Sequence, residues 1–165
     1  MNLFIMIASI VLVLIALPFL IGGLLGAVWV PAFSDDTTAI LKHLELKPDT
    51  ILYEFGCGDG RFLRKAAKYK VKAVGYEVNP YLVKLAQIRT IYNKDIQIKQ
   101  ANAWNKSFSD ADVVYTFLMP KFMEKLGTKL QDELKPGAVI VSYVFPIPNL
   151  EHYRQANNSY FYRIE

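Results

Sequence analysis

No Lys, Arg, Asp or Glu occurs before Asp35, so this chain opens with an apolar segment that cannot fold by itself in water. Leu3 to Val30 reads LFIMIASIVLVLIALPFLIGGLLGAVWV. As a helix rising about 1.5 Å per residue it exceeds the roughly 30 Å hydrocarbon core of a bilayer and can cross it with tilt. A cleaved signal peptide needs a basic start, a shorter apolar run and a small-x-small site. This segment has no basic residue, and no A-x-A-like site follows it. The reading is a transmembrane anchor over residues 1–30 and a folded domain over 31–165. Pro18 removes one helix hydrogen bond. Gly22 and Gly26 form a GxxxG, which lets two such helices approach and makes a homodimer one option. Trp29 suits the lipid–water interface. Lys42 and Lys47, the nearest flanking lysines, favour a cytoplasmic domain in a single-pass arrangement.

That segment accounts for the 53% hydrophobic residues, a high share for a soluble domain. The remainder is an ordinary charged sequence, large enough to bury a core. The net charge of +4 fits loose attraction to anionic lipid or an acidic partner. Its Lys and Arg residues are scattered, which argues against nucleic acid. Cys57 is the only cysteine, so no intramolecular disulfide can form. His43 and His152 lie far apart, and neither metal-ligand spacing nor a Ser/His/Asp or Cys/His motif is present. Metal hydrolysis and triad chemistry are therefore poorly supported.

After a short linker over Pro31 to Ser34, Asp35 is a plausible N-cap for a helix over Asp36 to Leu46. Thr50 to Phe55 reads as a buried strand running into Gly56-Cys57-Gly58-Asp59-Gly60. Arg61 to Tyr69 is helical, and Ala73 to Glu77 a strand. Asn79-Pro80 caps and opens a helix to about Tyr92. Ile96 to Lys99 and Val113 to Phe117 are strands, and Pro120 to Leu134 a helix. Val139 to Phe145 is a buried strand, and Tyr160 to Ile164 a last edge strand. Strands alternating with helices predict an α/β fold, a doubly wound and mostly parallel sheet.

The informative passage is Glu54-Phe55-Gly56-Cys57-Gly58-Asp59-Gly60, lying where a doubly wound sheet opens its ligand crevice. Gly56 permits a tight turn with positive φ, Gly58 lets backbone lie against a ligand, and Gly60 lets the helix start close to the strand. Glu77 ends the next strand, where a carboxylate can accept both hydroxyls of an adenosine ribose. A dinucleotide site wants G-x-G-x-x-G/A, and here its last position falls on Arg61. The spacing is instead G-x-G-x-G preceded by Glu54, an acid suited to a cationic amino group. S-adenosylmethionine carries one, and it is favoured over NAD as cofactor.

These residues resemble the class I S-adenosylmethionine-dependent methyltransferases, over roughly Asp35 to Phe145. More narrowly, the chain is similar to the membrane-anchored lysine methyltransferases of the ATP synthase c-subunit and adenine nucleotide translocase type and their prokaryotic relatives. The likeness rests on the apolar segment, Val30-Pro31, Gly58-Asp59-Gly60-Arg61, Gly75-Tyr76-Glu77-Val78-Asn79-Pro80, Met119-Pro120 through Met123, and Phe145-Pro146-Ile147-Pro148. The resemblance implies a Rossmann-like methyltransferase domain behind one transmembrane helix. It implies cofactor contacts from Glu54, Gly56, Gly58, Asp59 and Gly60 around the methionine part, from Glu77 at the ribose, and from Asn102 and Ala103 near adenine. Phe117, Met119 and Pro120 occupy the stretch that borders the transferred methyl, with Tyr143 a further candidate. The Asn-Pro-Pro-Tyr/Phe of amide and base methyltransferases is absent from this stretch. The tail after Phe145 is expected to be shorter than the usual two-strand ending.

The function these features imply is methylation of a protein lysine at or near a membrane. A lipid-soluble small molecule as acceptor, and a membrane-bound cofactor-binding module without catalysis, are the alternatives. Neither a metal nor a covalent nucleophile is required, because alignment of the two reactants supplies most of the acceleration.

Overall fold

The computed structural model describes residues 2–24 and 34–165. The expectations placed on Gly26, Trp29 and the Val30-Pro31 linker lie outside these residues. The first element, α1 (Leu3–Leu24), is an apolar helix with Pro18 inside it. At about 1.5 Å per residue its 22 residues match a hydrocarbon core of about 30 Å. Its side chains stay uncovered along the length, from Phe4 through Leu12 to Leu24.

The domain follows the alternating plan. Its helices are α2 (Ser34–His43), α3 (Arg61–Ala66), α4 (Pro80–Thr90) and α5 (Met123–Glu133). Its strands are β1 (Ile51–Phe55), β2 (Lys72–Glu77), β3 (Ile96–Gln100), β4 (Val113–Thr116), β5 (Val139–Tyr143), β6 (Arg154–Ala156) and β7 (Ser159–Arg163). They form one sheet in the order β3-β2-β1-β4-β5-β7-β6. The first five strands are parallel, and β7 runs antiparallel to both β5 and β6. Strand order reverses between β1 and β4, so the ligand crevice of a doubly wound sheet falls at their carboxyl ends.

Alternation along the strands sorts the core into two layers. Tyr53, Phe55, Val114 and Ile140 pack with Met123, Leu126 and Leu130 of α5. Leu52, Val113, Tyr115 and Val141 pack with Ile40 and Leu41 of α2 and with Phe62 and Leu63 of α3. Asn79 caps α4 as its sequence promised: Oδ1 accepts from Tyr81 N at 2.9 Å, and Pro80 takes the first helical position.

Most element ends shift by a few residues from the sequence reading, and three differences have a clear cause. Helix α2 begins one residue before Asp35 and stops at His43, because Glu45 turns left-handed at φ 47°. Strand β5 stops at Tyr143, because Val144 has φ 68° and Phe145 N donates back to Tyr143 O at 2.9 Å. The tail does make a two-strand ending. A hairpin pairs β6 with β7 through Asn157-Asn158, with Asn157 at φ 43°. The three-residue strand Arg-Gln-Ala has no apolar alternation by which to be read.

The seam between β2 and α3 is tight enough to test. A Cβ on Gly75 would lie 2.6 Å from both Cys57 Sγ and Leu63 Cδ1, and Cys57 and Leu63 are buried. Gly75→Ala is expected to cost about 1–3 kcal/mol of stability through overpacking, read as a lower denaturation midpoint. An unchanged midpoint would show slack in this seam.

Candidate functional site

The turn leaving β1 is built from glycines because its backbone is left-handed three times. Gly56, Gly58 and Gly60 have φ of 83°, 52° and 74°. L-residues adopt such values at a cost, and glycine does not. Gly56 N and Cys57 N both donate to Tyr76 O, at 3.0 and 2.9 Å, tying the turn to the end of β2. Gly60 has a second role, since a Cβ there would lie 3.1 Å from Ala86 Cβ in α4. The close approach at Gly60 is therefore to the neighbouring helix α4, where the sequence reading placed it against the strand.

Glu77 organises the other side of the turn. Its Oε2 accepts from Gly58 N at 2.9 Å, and Oε1 accepts from Val78 N and Asn79 N, each at 2.8 Å. A carboxylate offers about four acceptor positions, so Oε2 retains one for a ligand hydroxyl. The reading that Glu77 takes two hydroxyls through free oxygens is thus narrowed: backbone amides already fill Oε1.

A cavity opens to solvent beside this carboxylate, at the carboxyl edge of the sheet. Of the residues singled out in the sequence, Gly56, Glu77, Asn102 and Ala103 line it. Asn102 Oδ1 caps the short turn that follows β3, accepting from Trp104 N at 3.0 Å. Tyr76, from the Gly75-to-Pro80 run, and Leu118, from the stretch Phe117 to Pro120, also line the cavity, as does Trp104, which was not anticipated. Trp104 meets Phe55 edge-on at 4.9 Å and carries Lys125 Nζ 4.6 Å above its ring. Its adjacency to Asn102-Ala103 was the one signal available for it.

Glu54 is 6% exposed, and its Oε2 has no hydrogen-bond partner among the described residues. Burial pushes its carboxyl well above the usual carboxylate range, and the negative charges of Asp59 and Glu77 push it further. The Leu63 backbone and Arg61 offset this only in part. Such an atom wants a cation.

Asp59 is placed differently. Its carboxylate is held by Arg61, at 2.7 Å, and by Arg89 of α4, and it does not line the cavity. Burial pushes its carboxyl up, but the hydrogen bonds and charges of the two arginines win and leave it below the usual range. The side chain braces the turn against α3 and α4. The methyl-proximal candidates divide in two. Phe117 and Tyr143 meet edge-on with ring centroids 5.0 Å apart. Met119 and Pro120 instead begin the short 3-10 turn that leads into α5, where Phe122 N donates to Met119 O at 3.0 Å.

Known proteins resemble this chain in sequence and in fold. The pattern of the ANTKMT methyltransferase domain matches residues 54–154. The chain is 36% identical over 125 residues to a protein-lysine N-methyltransferase of Saccharolobus islandicus, covering 72% of this chain and 77% of that protein. It is 35% identical over 140 residues to the Xenopus laevis lysine N-methyltransferase of the ATP synthase c-subunit, covering 82% of this chain but 62% of that longer protein. Among solved structures, an RNA methyltransferase from Salinibacter ruber in complex with S-adenosyl-L-homocysteine superposes with a TM-score of 0.75 at 28% identity. That match covers 82% of this chain and 92% of the other.

Proposed function

Because the chain belongs to the ANTKMT methyltransferase domain family, we propose that it is an S-adenosylmethionine-dependent protein-lysine N-methyltransferase held at a membrane by α1. The observation that carries this reading is the pair of buried acids flanking one glycine turn. Glu77 keeps an acceptor position beside an open cavity, and Glu54 keeps an unpartnered oxygen where a positive group is wanted.

The residues present fit this cofactor. Glu77 Oε2 takes a ribose hydroxyl, and the cavity between Asn102-Ala103 and Leu118 takes the base, with Trp104 as an aromatic wall. Gly56 and Gly58 bring backbone, rather than side chains, against the ligand. Glu54 answers the positive charge of the amino-acid end. Asp59 and Gly60 hold the turn in shape. When bound, the cofactor supplies an electrophilic methyl: the acceptor nitrogen's lone pair forms the new N–C bond and the C–S electrons leave with sulfur. The acceptor must first give its ammonium proton to solvent. Phe117 and Tyr143 provide an aromatic wall for the acceptor's side chain.

The tether follows from α1. A 22-residue helix that is apolar but for Ser9, with its large side chains uncovered, is stable in lipid and costly in water. The domain faces the cytoplasm, the side favoured by Lys42 and Lys47.

One incubation tests the acceptor class. Membranes containing the full chain are treated with methyl-labelled S-adenosylmethionine, then separated into protein, lipid extract and RNA. Label is expected in the protein fraction and, after acid hydrolysis, in methylated lysine. Label confined to the lipid extract or to RNA would overturn the lysine reading, and no label at all would overturn the enzyme.

A further inference from the structure

On the face of the sheet that packs against α2, side chains at the carboxyl ends of three strands form a polar and aromatic track. Glu54 on β1 is paired in register with Tyr115 on β4, and Phe117 follows two residues later on the same face. Tyr115 is paired with Val141 on β5, and Tyr143 again follows by two. Asp36, in the first turn of α2, reaches this track from above. Its Oδ2 accepts from Tyr143 Oη at 2.6 Å and from Asn158 Nδ2 at 3.3 Å. A carboxylate offers about four acceptor positions, more than these two donors occupy.

Two further observations set this place apart from ordinary packing. The hydroxyl of Tyr115 is buried without a hydrogen-bond partner among the described residues, although Glu54, Tyr143 and Asp36 are its electrostatic neighbours. The chain also takes on strain there. Val144 is β-branched yet sits at φ 68°, inside a three-residue turn closed by Phe145 N on Tyr143 O. A turn of this hand is rare and unfavourable. Val144 N donates to Asn158 O, and Ser142 Oγ to Phe145 O at 2.5 Å, so the strained conformation is pinned from both sides. What the turn achieves is the return of Phe145 to lie along Phe117, with centroids 6.3 Å apart at an interplanar angle of 25°. Strain of this kind persists where the surroundings fix it, and it clusters at working sites.

We propose that Asp36, with the aromatic wall of Phe117, Tyr143 and Phe145, forms the subsite that receives the acceptor's ammonium before transfer. The chemistry is that of cation recognition: ring faces attract a cation, and a carboxylate at their rim gives it a hydrogen-bonded partner. Phe117, Phe145 and Asp36 are half-buried, so the subsite is reached from solvent. Tyr143 fixes the Asp36 carboxylate, and the unpartnered Tyr115 hydroxyl lies between this subsite and Glu54. Because α2 is the next helix after α1 among the described residues, the same carboxylate ties the membrane side of the chain to the reaction centre.

This inference rests on the lysine methyltransferase reading, so its test measures the two separately. The full chain in detergent is titrated with S-adenosylmethionine by calorimetry. Label transfer to lysine in membrane protein is then followed as a function of acceptor concentration. For Asp36→Asn we expect cofactor affinity within two-fold of wild type and an acceptor kcat/KM at least ten-fold lower, carried mainly by KM. Asp36→Glu should recover part of the loss, and Tyr143→Phe should fall between. Unchanged cofactor affinity with label transfer within two-fold of wild type would overturn the subsite. Weakened cofactor binding by Asp36→Asn would overturn it too, since Asp36 would then serve the cofactor side. A wild-type protein that binds cofactor but labels no lysine would remove the parent reading, and the subsite with it.

Discussion

Glu77→Gln raises the dissociation constant for S-adenosylmethionine at least a hundred-fold, about 2.7 kcal/mol, in calorimetry of the full chain. The carboxylate does two things at once, and the amide can do neither in full. It receives three backbone N–H groups, from Gly58, Val78 and Asn79, and still offers a position toward the cavity. Hydrogen bonds to a charged acceptor are worth about 1.5–3 kcal/mol each. Glutamine has one acceptor oxygen, so its NH₂ group must face either Gly58 N or the Val78 and Asn79 amides, donor against donor. The turn then loses its organised shape, and a ribose hydroxyl loses a charged partner. The first loss lowers the stability of the free protein too and the second falls on the bound state alone, whereas the sheet beneath depends on its own pairing of β1 with β2. The far-ultraviolet spectrum should therefore be retained. Asp59→Asn is the natural control: it weakens the brace to Arg61 and Arg89, so stability falls while affinity changes far less. A Glu77→Gln protein with affinity within three-fold of wild type would remove Glu77 from the cofactor site.

How far this site was legible in the sequence depends on how local each signal is. The glycine turn, the acid at the end of β2 and the Asn79-Pro80 cap are written in consecutive residues, and all three appear where the spacing put them. Asp59 shows the limit of that logic. Its place within the motif suggested a ligand contact, but Arg89, thirty positions on, claims its carboxylate. Nothing in the motif foretells a partner on a helix not yet paired. Trp104 and Leu118 reach the cavity from beyond β3 and β4, which stand apart in the sheet with β2 and β1 between them, so their convergence shows only in the fold. Asp36 was legible as an acid at a helix start. Its partner Tyr143 is 107 residues away and brings it to the carboxyl edge. The early end of β5 is of the same kind: Val144 favours strands, but Asn158 of the β6–β7 hairpin and the Ser142–Phe145 hydrogen bond hold it left-handed.

That contrast between local motif and imposed environment is sharpest at Glu54. In the folded chain, burial raises its carboxyl, and Asp59 and Glu77 add to the effect. In the unfolded chain it titrates as an ordinary carboxylate. Between the unfolded and folded values the folded state holds more protons, so stability falls as pH rises through that window and levels off above it. The bound cofactor reverses the preference, because its positive charge favours the ionised form. Binding through this window therefore releases a proton, and wild-type affinity climbs with pH. Glu54→Gln keeps the volume and removes the titration. We expect it to melt about 3–5 °C higher than wild type at pH 8, roughly the shift that 1 kcal/mol gives a domain of this size. As pH falls into the range where folded wild-type Glu54 takes up its proton, the two melting points should converge. The same variant should bind S-adenosylmethionine ten- to a hundred-fold more weakly at pH 8, with no dependence on pH from this position. Calorimetry in buffers of different ionisation enthalpy reads the released proton directly. Equal affinity in the two proteins, or parallel melting profiles from pH 5 to 8, would mean that Glu54 answers to something other than the cofactor's charge. A gain in stability coupled to a loss of affinity would identify the buried acid as a group kept for binding at the expense of the fold.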